Sequence, residues 1–108
     1  MLKGVKSEQR RQAILKEIAR LGPIIPGTIS ERYTRCAGPI CRCREDPPVL
    51  HGPYSTWTHR VDGRQVSRAL TSEEVRGMRA AINAHHRLQE LIKELEALAI
   101  ADVESRLE

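Results

Sequence analysis

Apolar residues recur along this chain in three different patterns, and each predicts an element. From Ser7 to Leu21, the residues Ala13, Ile14, Leu15, Ile18 and Leu21 fall at helical spacing, which gathers them on one face of a helix. Arg10, Arg11, Lys16 and Glu17 lie largely outside that stripe. Ser7 suits the N-cap, where its hydroxyl can accept from a backbone N–H. Gly22-Pro23 stops the helix, because Gly tolerates the left-handed cap and Pro cannot continue the hydrogen-bond ladder. Pro23 to Gly27 then reads as an extended connector.

The middle of the chain is non-helical. It opens with a short Thr28 to Tyr33 stretch, passes a cysteine cluster and the loop Asp46-Pro47-Pro48, and reaches two β-prone runs, Tyr54 to Val61 and Arg64 to Leu70. Asp62-Gly63 between them is a strong hairpin signal, since a type I′ turn needs positive φ at both central residues. That turn sets the pairing: Val61 opposite Arg64, His59 opposite Val66, Trp57 opposite Arg68 and Ser55 opposite Leu70. Trp57, Val61, Val66 and Leu70 share one face, expected to pack on a helix. The other face carries Tyr54, Thr56, Thr58, Arg60, Gln65 and Ser67, a polar set suited to a hydrated partner.

The third pattern is a long helix. Thr71 and Glu74 form a capping box, and Val75, Met78, Ile82, His85, Leu88, Ile92, Leu95 and Ala99 step by three or four, with Leu91 and Leu98 widening the stripe. Some 30 to 34 helical residues extend roughly 45 to 50 Å. A globule of this size is only about 35 Å across. The leucine stripe therefore calls for a cover, and a second copy of the chain, giving a homodimer through the C-terminal helix, is the expected one. A monomeric helical hairpin with a frayed tail is the alternative. The fold class is α+β in a single domain: an N-terminal helix over 1–22, a β-hairpin head over 23–70 and a long amphipathic helix over 71–108.

Composition changes this picture in one respect. Among 108 residues there are one Trp, two Tyr and no Phe, a thin supply of bulky core for a small domain. Something besides apolar burial is expected to hold the head together. Cys36, Cys41, Cys43 and His51 lie within sixteen residues as C-x4-C-x-C-x7-H, and three cysteines cannot all pair within one chain. Cys3His is a common structural zinc set, and a structural zinc ion contributes folding free energy directly. His51 is the best-placed fourth ligand, with His59 the competitor. Four protein ligands would leave no open coordination position, making the Zn2+ structural. The alternative is three reduced, partly buried cysteines with a histidine nearby by chance.

The run Gly27-Thr28-Ile29, Arg32-Tyr33, Cys36, Cys41-Arg42-Cys43, His51-Gly52-Pro53-Tyr54 and Val61-Asp62-Gly63-Arg64, followed by an acidic-capped helix, resembles a family of short uncharacterised prokaryotic proteins known only as a domain of unknown function. The resemblance covers nearly the whole chain. Usual members carry Gly-Lys-Pro-x-Cys where this chain has Ala37-Gly38-Pro39-Ile40-Cys41, and an aromatic run where it has Ser55-Thr56-Trp57. The resemblance implies no activity, so function has to come from the residues.

Charge is uneven. Met1 to Leu70 holds thirteen Lys plus Arg against six Asp plus Glu, a net of +7, whereas Thr71 to Glu108 holds five against eight, a net of −3. Every basic residue between Arg20 and Arg87 is Arg, whose planar fork suits phosphate and base edges. Arg32, Arg35, Arg42, Arg44, Arg60, Arg64, Gln65 and Arg68 lie on or beside the expected zinc-pinned head. They are the candidate contacts to nucleic acid, with DNA the expected partner. The competing reading is a protein-interaction or coiled-coil adaptor in which the arginines only solvate the head. The P-loop, nucleophile-elbow, H-E-x-x-H and deaminase zinc signatures are missing, so an enzyme is not expected. Without a long apolar run or a signal-peptide core, a membrane partner is not expected and a cytoplasmic location is.

Overall fold

The computed structural model describes residues 2–35, 38, 40–46 and 48–107. The fold is α+β. Helix α1 (Leu2–Arg20) leads to strand β1 (Thr28–Thr34), a single 3-10 turn (Arg42–Arg44), strands β2 (His51–Val61) and β3 (Arg64–Leu70), and helix α2 (Ser72–Leu107). Two compact units are present: residues Met1–Ile25 with Ala81–Glu108, and residues Pro26–Ala80.

In the first unit, α1 starts five residues before the expected cap, so Ser7 lies inside the helix. Residues 2–6 include no Pro, and the cost of one Gly, about 1 kcal/mol, is too small to stop a helix. The end falls where expected, with the Leu21 N–H reaching the Ile18 carbonyl at 3.2 Å before Gly22-Pro23. Ile14 and Leu91 are completely buried, and Ala81 and Ile82 join them in the core. Antiparallel register is fixed by crossed ion pairs. Arg10 and Glu17 sit seven residues apart on α1, as do Arg87 and Glu94 on α2. Arg10 Nε donates to Glu94 at 2.9 Å and Arg87 Nη2 to Glu17 at 2.9 Å. A groove in this unit is lined by Leu15, Leu95, Leu98 and Ala99 together with polar and charged residues such as Arg11 and Glu96. Ile92 and Val103 stay substantially exposed on α2.

The second unit is a three-stranded antiparallel sheet ordered β1-β2-β3. All four cross-strand pairs expected for the hairpin occur. Asp62 and Gly63 take φ of 51° and 80°, the left-handed pair that a type I′ turn requires and that Gly adopts without a Cβ clash. β1 pairs with β2 from Thr28↔Thr58 to Arg32↔Tyr54, then slips through an irregularity to Thr34↔His51. The Thr28 to Tyr33 stretch, with a single aliphatic residue, Ile29, has little alternation to announce a strand. Pairing with β2 organises it.

At the start of α2 the capping box forms as expected. The Thr71 N–H donates to the Glu74 carboxylate at 3.0 Å, and the Glu74 N–H to the Thr71 hydroxyl at 3.2 Å. The Thr71 amide, with the Arg68 guanidinium behind it, holds the Glu74 carboxyl below its ordinary value.

The second unit is poorly provided with apolar core. Among its described residues, Cys43 is the one hydrophobic side chain that is fully buried, and Ser55 is the other buried residue. Trp57 is half-buried: its indole N–H donates to the Pro26 carbonyl at 2.9 Å, and its ring stacks on His59 with centroids 3.8 Å apart. Val61 and Val66, expected beneath a helix, are exposed. They sit beside the hairpin turn, the end of the sheet far from the residues that engage the first turns of α2. The ion pairs Arg68–Glu74 and Arg79–Glu31 tie that helix start to the sheet.

A candidate metal centre beside the sheet

The centre assembles where β1 ends and β2 begins. Cys41 is extended and leads into the 3-10 turn, whose backbone is held by Arg44 N–H to Cys41 C=O at 2.9 Å and Val49 N–H to Arg42 C=O at 2.9 Å. These bonds fold the Cys41 to Val49 loop back on itself and bring both thiols near the first residue of β2. His51 is held by its pairing with Thr34. The next residue, Gly52, has a φ of 130°, and a Cβ there would lie 2.8 Å from the Arg32 carbonyl. Only glycine permits so close an approach of the two strands.

Cys41 Sγ lies 3.0 Å from His51 Nε2, and these two atoms and Cys43 Sγ all lie within 4.8 Å of one another. Tetrahedral zinc with Zn–S near 2.3 Å and Zn–N near 2.05 Å places its ligand atoms roughly 3.6 to 3.8 Å apart. The cluster is therefore within a few tenths of an ångström to about 1 Å of a coordination shell, with small side-chain rotations enough to close it. Two thiols and an imidazole suit a soft or borderline ion and are a poor set for magnesium or calcium, which take oxygen. Cys41 and His51 are half-buried and Cys43 wholly buried. Cys36, the remaining expected ligand, lies outside the described residues. His59 does not compete: it is eight residues further along β2, about 26 Å at 3.3 Å per residue, and stacks on Trp57. Its Nδ1 is buried with no hydrogen-bond partner among the described residues.

Alternation along the strands sorts the candidate nucleic-acid residues onto two faces. Arg32, Arg60 and Gln65 share one face, with Arg60 directly opposite Gln65. Thr28, Ser30, Thr56, Thr58 and Ser67 lie between them. Thr58 and Ser67 hydroxyls are hydrogen-bonded at 3.0 Å across the strands. Arg64 and Arg68 are on the opposite face, and Arg68 is engaged by Glu74 at 2.8 Å. Arg35 follows β1, while Arg42 and Arg44 lie on the 3-10 turn; all three are exposed. The sequence pattern left out Thr28 and Ser30, which join this face only because β1 is a strand. No helix among the described residues is long and apolar enough to cross a membrane.

The family model described as a domain of unknown function (DUF6788) matches residues 5–80. This span contains the whole sheet, the Cys41, Cys43 and His51 cluster and the first turns of α2, and the chain belongs to that family. No curated protein and no solved structure matches it.

Proposed function

We propose that this chain is a small zinc-stabilised DNA-binding protein of the cytoplasm. Cys36 completes a Cys3His set with Cys41, Cys43 and His51, and the zinc is structural. DNA lies against the sheet face that carries Arg32, Arg60 and Gln65, while α2 supplies a dimer contact through the flank that leaves Ile92 and Val103 uncovered. The observation that carries the reading is the make-up of that face. Across all three strands it presents hydroxyls, two arginines and a glutamine, with no large aliphatic side chain. The opposite face is tied to α2 by Arg68–Glu74 and Arg79–Glu31. Arginines at the edges suit phosphates, and Gln65 beside Arg60 offers paired donors and an acceptor to base edges. Arg35, Arg42 and Arg44 add positive charge beside the zinc centre, and Arg64 lies by the hairpin turn.

Fluorescence anisotropy with a labelled duplex, titrated at several salt concentrations, tests this. Affinity should fall steeply as salt rises. Arg32→Ala and Arg60→Ala should each flatten the salt dependence by about one phosphate's worth, whereas Arg68→Ala should change it little. Absence of any binding at low salt defeats the DNA reading. If the chain then still associates through its helices, it leaves the adaptor reading, which the apolar groove between α1 and α2 favours.

A further inference from the structure

We propose that Cys41 and Cys43 are a peroxide-reactive thiol pair, and that their oxidation to a disulfide expels the bound ion. The inference rests on reading the cluster as a metal site, and adds to it a chemical modification that the site undergoes.

The two sulfurs differ in access. Cys41 is half-buried and lines an open depression with Ile40, Arg42, Arg44 and Glu45, so a small oxidant reaches it from solvent. Cys43 is fully buried. It is shielded from direct attack yet has its sulfur within 4.8 Å of Cys41 Sγ. Both are thiols. An accessible sulfur next to a sheltered one is the arrangement in which the first is oxidised and the second resolves it.

The chemistry balances with hydrogen peroxide as oxidant. Cys41 sulfur attacks one peroxide oxygen; an S–O bond forms, the O–O bond breaks, and the departing hydroxide takes a proton from solvent to become water. Cys43 sulfur then attacks Cys41 sulfur; the S–S bond forms, the S–O bond breaks, and a second hydroxide leaves and is protonated. Two thiolates lose two electrons, and one peroxide becomes two waters. A disulfide no longer offers thiolate donors, so two ligands are lost together and the ion leaves. A bridge between residues two apart closes a small, strained ring, and strained disulfides are readily reduced. The step is therefore reversible by a dithiol.

The test uses the full chain loaded with zinc, treated with hydrogen peroxide, and followed by a chromogenic zinc chelator and intact mass. Zinc release and a mass loss of about 2 Da should rise together, and dithiothreitol with added zinc should restore both. Trypsin cuts after Arg35, Arg42 and Arg44, so the predicted bridge joins peptide 36–42 to peptide 43–44. Tandem fragmentation should then place the modified sulfur at Cys41. A bridge inside peptide 36–42, zinc release without a crosslink, or zinc held through oxidation each overturns this proposal alone. A chain that takes up no zinc at all overturns the metal reading, and this proposal with it.

Discussion

Replacing Cys43 with alanine separates two accounts of the second unit by magnitude. Cys43 is completely buried and is the one fully buried hydrophobic side chain among that unit's described residues. If it were only a small core residue, Cys43→Ala would remove one sulfur's worth of burial, about 1 kcal/mol at the usual value per buried methylene-sized group. If it is a ligand, the variant forfeits much of the metal-binding free energy, which is about 10–16 kcal/mol for structural zinc in finger peptides. Whole domains are stable by only about 5–15 kcal/mol, and among the described residues of this unit no buried aliphatic cluster offsets such a loss. Trp57 is the sole tryptophan, stacked on His59 and bonded to Pro26, so its emission reports on the sheet alone. The variant should show a red-shifted Trp57 spectrum at 25 °C, unchanged by added zinc. A native-like spectrum with a denaturation midpoint shifted by only about 1 kcal/mol would refute the reasoning.

Three other outcomes follow from the fold. Leu91→Ala, at a fully buried position on α2, should cost about 2–5 kcal/mol in urea denaturation followed by circular dichroism; a loss under about 1 kcal/mol would mean that this part of α2 is not packed as described. Thr71→Ala removes the hydroxyl that accepts from the Glu74 N–H and should cost about 1 kcal/mol; an unchanged midpoint would remove the cap from the account. The Glu17 carboxyl is held below its ordinary value by hydrogen bonds from Arg87, whose own pKa is raised by the pair. A depressed carboxyl stabilises the fold above its unfolded pKa, and that contribution drains away as pH falls through the depressed folded value. Stability should therefore decline on acidification from pH 7, and Glu17→Gln should flatten the decline; an identical pH profile in the variant would contradict the assignment.

How much of this was legible beforehand depended on whether the signal was local. The Asp62-Gly63 turn and the Thr71/Glu74 cap are written in adjacent residues, and both formed with the expected pairing. The α1 start was misplaced because Ser7 is a capable cap that nothing requires to act as one. β1 was hidden because its strand identity comes from pairing with β2, with only Ile29 to mark an alternation. That is also why Thr28 and Ser30 were absent from the polar-face reading. The candidate metal site was partly legible: residue types and spacing named Cys41, Cys43 and His51, which lie together, but not the folding back of Cys41 to Val49 that draws them together. Spacing alone left His59 in contention, and the extended run of β2 removed it. Burial was the least legible property. Val61 and Val66 sit at positions the alternation marks as inward, but the sheet extends beyond what covers it.

The claim on which the rest depends is that a metal ion, in place of an aliphatic core, holds the three-stranded unit together. Elemental analysis of the purified chain, with Trp57 emission recorded before and after a strong chelator, tests it most directly. The account predicts close to one zinc per chain and a red shift on chelation that added zinc reverses. A chain without metal, whose Trp57 spectrum ignores the chelator, would contradict it.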